Sequence, residues 1–157
     1  MPSGKRFWLM KTEPDSYSID DLKRDGSTSW DGVRNFQARN FIRDLMKPGD
    51  EALFYHSSTE PPGVAGLARI SKPAFPDRTA FDKKDHHHDP KSTPEKPTWY
   101  AVEISFIAKF KRVVGLDAIK ANAALKGIMV AARGSRLSIQ PVSPEHFTII
   151  KKMGTPI

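Results

Sequence analysis

Five prolines, at 73, 76, 90, 94 and 97, stand between residues 72 and 98, and they forbid a long helix through the middle of the chain. The same stretch holds three adjacent histidines, His86, His87 and His88, among alternating charges. It is expected to form one long irregular segment, the kind that often covers a site in a compact domain. Strand patterns flank it. Residues 99–110 alternate Tyr100, Val102, Ile104 and Phe106 against Ala101, Glu103 and Ser105, the longest strand candidate. Residues 7–12 read as a first strand, ended at Glu13-Pro14 because a proline lacks the donor and pushes its predecessor extended. Residues 51–57 read as a second, nearly all apolar until Tyr55, His56 and Ser57. In residues 64–71 the small Ala65, Gly66 and Ala68 predict close backbone approach or tight curvature. Residues 137–142 form a short strand that sends Ser138 and Gln140 to one side, after a basic turn from Arg133 to Arg136.

Helices fill the gaps. Ser18 with Asp21 three residues on reads as a capped short helix closed by Asp25-Gly26. Residues 116–124 suggest a modest helix, and Ser143-Pro144-Glu145 opens a last one, with proline at its first position. No internal repeat or flexible linker appears, so residues 1–157 are expected to make a single domain.

Residues 30–40, W-D-G-V-R-N-F-Q-A-R-N, concentrate the chemistry. Asp31-Gly32 reads as a turn launching a helix, whose apolar stripe is Ala38, Phe41, Ile42 and Leu45 and whose stop is Lys47-Pro48-Gly49-Asp50. Asn35 and Arg39 fall one turn apart on its flank. A helix N-terminus, two arginines and the Trp30 ring would then meet at one end, an anion site beside a stacking surface. The plainer reading keeps Trp30 in the core and uses Arg34 and Arg39 to solvate the helix.

Charge narrows the partners. The net charge is +7, and the excess sits late: residues 1–99 hold 16 Lys+Arg against 15 Asp+Glu, residues 100–157 hold 9 against 3. A basic surface favours polyanions, nucleic acid first. No apolar run approaches the ~20 residues of a membrane span, and the N-terminus lacks a signal-peptide pattern. With zero cysteines, disulfides, thiol catalysis and cysteine-ligated metal are excluded. Adjacent histidines in a loop lack the separated spacing of a ligand set, so neither a metal nor another cofactor is expected.

Six pieces, taken in order, resemble the EVE domain: F-W-L-M-K-T-E-P, W-D-G-V-R-N-x-Q-A-R-N, F-Y-H-S, D-P-K-S, W-Y-x-V and L-S-I-Q-P-V. The resemblance spans about residues 6–152. It implies an α+β, PUA-like fold, a mixed β-barrel of five to six strands with helices packed at its ends, related to YTH and ASCH domains. It implies a non-catalytic module that recognises a modified base, modified cytosine above all, in an aromatic-walled pocket, with DNA or RNA left open as the partner and no membrane. On this chain the pocket would draw on Trp30, Asn35, Tyr55, His56, Ser57, Ser138 and Gln140. Lys11, Arg34 and Arg39 would lie near phosphate or sugar. The residue types suit this, because aromatic rings stack on bases and Asn, Ser and Gln read polar base edges. The location implied is cytoplasmic in a bacterium, with the nucleus open in a eukaryote.

The alternative is a small amidohydrolase of modified nucleosides, as in some ASCH-type relatives, using Lys11, Thr12 and Glu13. Strand alternation places Thr12 opposite Lys11 and Glu13, which disfavours a nucleophile–base contact. His56 beside Ser57 fails for the same reason, and no orienting carboxylate is evident. No catalytic residue is therefore assigned.

Overall fold

The structure is a computed structural model that describes residues 5–134 and 136–155. Ser135, within the predicted basic turn, lies outside the described residues. Strands β1 (Phe7–Thr12), β2 (Ser27–Trp30), β3 (Glu51–His56), β4 (Gly63–Ile70), β5 (Phe75–Pro76), β6 (Tyr100–Gly115) and β7 (Ile139–Val142) form one mixed sheet. Its path is β2-β6-β4-β3-β1-β7, with β5 paired to β6 at the side. Only β1 and β3 run parallel; the other pairs are antiparallel. The α+β arrangement is the expected one, but the sheet has seven strands and is not closed into a barrel by strand pairing. Pro141 in β7 fits this, because a residue without an N–H belongs on an outer edge.

Local sequence explains most elements. Helix α1 (Ile19–Asp25) begins at a reciprocal Ser18–Asp21 capping box and ends at Gly26, which takes φ +81°. Helix α2 (Phe36–Asn40) runs directly into a π-type turn, Phe41–Leu45, with Met46 N–H reaching back to Phe41 O at 2.9 Å. Helix α3 (Leu116–Ala121) is shorter than its pattern suggested, and α4 (Pro144–Gly154) is capped by the Ser143 hydroxyl. In the proline-rich segment only β5 and a 3₁₀ turn, Arg78–Phe81, are regular.

Alternation along the strands builds two cores, one on each face of the sheet. The first gathers Trp8, Met10, Phe54, Ile70, Val102 and Ile104 beneath α1 and α2. The second gathers Leu9, Leu53, Tyr55, Leu67 and Phe110 beneath α3 and α4. The predicted close approach at Gly66 is real: an added Cβ would meet Ile19 Cγ1 at 2.7 Å and the Ala108 carbonyl oxygen. Buried Asp50 is satisfied by Trp8 Nε1 at 3.0 Å and the N–H groups of Arg6 and Lys47.

Candidate nucleic-acid interface

Strand β2 lies at the sheet edge, paired to β6 so that Trp30 faces Val102 in register. Trp30 is half-buried against the first core and stands edge-on to Phe54, with centroids 5.9 Å apart. Phe54 in turn stands edge-on to His56 at 5.8 Å. The indole borders a cavity of about 360 Å³ lined also by Ser16, Tyr17, Thr28, Ser29 and Asp31. These supply hydroxyls and one carboxylate around a flat apolar wall. The Tyr17 hydroxyl donates to Asp25 at 2.8 Å. Desolvation, and then the Asp77 carboxylate, push the Asp31 carboxyl above its ordinary range.

The loop that follows Trp30 is locked from behind by an ion pair. Asp77 is fully buried and accepts from Gly32 N–H (2.8 Å), Arg34 Nη1 (3.0 Å), Thr79 N–H (2.9 Å) and the Thr79 hydroxyl (2.6 Å). Burial alone would raise its pKa, but these hydrogen bonds outweigh it and hold Asp77 below the usual carboxylate range. Arg34 also donates to Val33 O, Thr79 Oγ1 and twice to His87 O, so all five guanidinium N–H groups are engaged. His87 packs over Gly32, where a Cβ would meet the imidazole at 2.8 Å and φ is +76°. Only glycine fits both demands.

Arg34 and Asn35 are therefore occupied differently from expectation, and Arg39 in part. Arg34, expected near phosphate, ties α2 to the 72–98 segment. Asn35, expected in the pocket, caps α2 by accepting from Ala38 N–H at 3.0 Å. Arg39 donates to Thr98 O at 2.6 Å and lies 5.0 Å from the Phe36 ring.

The remaining residues divide between the two faces, as period-two alternation requires. Tyr55 and Gln140 are 3% and 1% exposed, and both sit on the second face with Lys11. Lys11 Nζ lies 5.7 Å from the Tyr55 ring, and burial lowers the lysine while it raises the tyrosine. Ser138 joins this group through its carbonyl, which accepts from Lys11 N–H at 2.8 Å. The Gln140 amide donates to Leu137 O at 2.9 Å. Ser57 follows the end of β3, its N–H bonded to Thr12 O. Of the ten residues expected at the site, Trp30 alone lines the cavity beside β2. Sequence reading missed Ser16, Tyr17, Thr28, Ser29 and Asp31; the polar S-T-S before Trp30 was the available signal.

His56 is held neutral. Its Nε2 accepts from Ile19 N–H in the first turn of α1 at 3.1 Å, which puts the proton on Nδ1. Burial first, offset by Asp20 and reinforced by Lys109, sets its pKa below the ordinary value. A depressed folded pKa means the unfolded chain takes the proton first as pH falls. The contribution of His56 to stability is thus full above its unfolded value near 6.5 and is lost as pH falls through the lower folded value. His56→Gln keeps an acceptor without that titration, so its melting temperature should fall less over this window. Parallel pH profiles of the two proteins would reveal no role for His56.

Asp85, His86 and His87 place three possible ligand atoms within 4.8 Å of one another, closer than adjacent histidines in a loop suggest. A local turn accounts for it. Asp85 Oδ1 accepts from His87 N–H at 2.8 Å and contacts its Nδ1 at 3.1 Å, while the two imidazoles lie 3.8 Å apart.

The family model described as EVE domain matches residues 6–153. Human thymocyte nuclear protein 1 is 43% identical over 162 residues, covering 91% of this chain and 71% of the relative. A crystal structure of a Pseudomonas syringae protein superposes with TM-score 0.89 at 50% identity, covering 94% of this chain and 98% of that one. Human THYN1 in complex with 5-methylcytosine-containing DNA superposes with TM-score 0.87 at 42% identity, covering 96% and 98%. An ASCH protein from Zymomonas mobilis is similar in fold alone, with TM-score 0.55 at 11% identity.

Proposed function

The chain belongs to the EVE domain family, and on that premise we propose that it is a single-domain, non-catalytic reader of modified cytosine in DNA, with the base held against Trp30. The observation that carries this reading is the cavity of about 360 Å³ with Trp30 as one wall and hydroxyl and carboxylate side chains around it. A base reaches such a cavity only when it leaves the helical stack, and an enclosing site then reads its polar edge. The exocyclic amine of cytosine donates, and a carboxylate is the acceptor suited to it. Asp31 supplies that group, with the Ser16, Thr28 and Ser29 side chains adding hydroxyls along the same wall. The similarity, over 96% of this chain, to a protein seen with 5-methylcytosine-containing DNA supports the same substrate class.

The hydrolase alternative finds no support in the geometry. The Thr12 hydroxyl contacts the Glu13 carbonyl oxygen at 3.4 Å, and Lys11 lies over Tyr55 on the second face. Incubation with acylated cytidines, followed for release of cytidine, tests that reading directly.

Fluorescence anisotropy with oligonucleotides that differ only in 5-methylcytosine against cytosine tests the main one. Tighter binding to the modified strand is expected, and both affinities should fall as salt rises, because neutralised phosphates release counterions. Equal affinity for the two strands would reject the reader assignment.

A further inference from the structure

Phe36 is the most exposed large hydrophobic side chain among the described residues, 59% accessible at the first position of α2. It is not loose. Its ring stacks on Trp99 at 4.9 Å with planes 28° apart, and the Arg39 guanidinium lies 5.0 Å from Phe36 and 5.9 Å from Trp99. Trp99 is itself fixed, 6% exposed, with Nε1 donating to Asp89 at 2.7 Å and the Arg34 guanidinium 5.3 Å from its ring. The result is an aromatic pedestal, backed by Trp99 and bordered by Arg39, with more than half of its surface open to solvent. Such a ring loses little freedom when a second flat group stacks on it.

The pedestal is joined to the Trp30 loop by a short chain of contacts. Trp99 touches Arg34, Arg34 pairs with Asp77, and Asp77 holds Gly32 N–H, two residues from Trp30. The two aromatic surfaces thus sit on one braced unit. The occupant is specified by chemistry: a flat π-face, flanked by a permanent cation. Among the described residues Arg39 Nη2 has no hydrogen-bond partner, which leaves a donor for a phosphate oxygen.

We propose that Phe36 is a second stacking platform, which receives a base neighbouring the one held at Trp30 while Arg39 contacts the adjoining phosphate. This rests on the reader assignment for its partner. It adds a residue that grips the strand without regard to the modification, since every base has a π-face.

The test uses the whole chain and oligonucleotides carrying 2-aminopurine on either side of 5-methylcytosine or cytosine. In the parent protein, binding should quench one of the flanking probes. Phe36→Ala should weaken binding to modified and unmodified strands alike by about 5- to 150-fold, the range of one base–aromatic stack, and abolish the quench. The preference for the modified strand should not change. Phe36→Leu, which still covers Trp99, should behave like the alanine variant, whereas Phe36→Tyr should bind like the parent; circular dichroism confirms the fold of each. Unchanged affinity and quenching in folded Phe36→Leu would overturn the platform. If the parent shows no preference for 5-methylcytosine, the Trp30 assignment fails by itself, and the flanking probe on the unmodified strand still decides the role of Phe36.

Discussion

Asp77→Ala is expected to lower stability by about 3–5 kcal/mol, the usual consequence of removing one partner of a buried ion pair. The substitution leaves Arg34, whose side chain is 23% exposed, with a charge facing a vacated site. Gly32 N–H and the Thr79 hydroxyl and N–H lose their acceptor as well. A loss of that size takes a large share of the ~5–15 kcal/mol that holds a typical domain together. Asp77→Asn should cost less, because one oxygen can still accept, yet its amide would face the guanidinium. Urea denaturation followed by tryptophan fluorescence gives the number; a shift under about 1 kcal/mol would mean the network is not a structural lock. Because its hydrogen bonds depress the Asp77 pKa, this stabilisation is full above the unfolded carboxyl value near ~3.9 and is lost as pH falls through the lower folded value.

Trp30→Ala should remove on the order of 1–3 kcal/mol of affinity for a modified base, one stacking interaction. Binding through phosphates should persist, so the salt slope stays while the preference for 5-methylcytosine collapses. The ring also packs edge-on to Phe54, and truncation of a half-buried aromatic should cost roughly 2 kcal/mol of stability, below the 3–5 of a fully buried one. Trp30→Phe keeps a stacking face and separates the two effects. If folded Trp30→Ala still prefers the modified strand, the base lies elsewhere. Tyr55 and Gln140, once expected to share this pocket, are buried on the far face of the sheet and should alter stability before they alter selectivity.

Features whose partners lie within a few residues were legible in the sequence. The Ser18–Asp21 box, the Gly26 stop, the Ser143-Pro144 start and the absence of a long helix across the prolines all depend on local geometry and appear as expected. The strand cores β1, β3 and β4 follow from apolar runs that must be buried wherever they pair. Strand β2 was missed. Its S-T-S-W has no apolar alternation, and it is a strand only because β6 offers backbone partners some 75 residues away. Pairing of Gly63 and Val64 in β4 with Gly115 and Val114 likewise extends β6 beyond its alternating pattern.

The site depended still more on the tertiary structure. Composition and motif identified Trp30 and the arginines as the chemistry to watch. Whether Arg34 met phosphate or protein was decided by Asp77, 43 positions on, and no local rule carries that distance. Period two fixes that Tyr55 and His56 face opposite ways. Which residues of other strands they then meet is set by register between strands, a property of the assembled sheet.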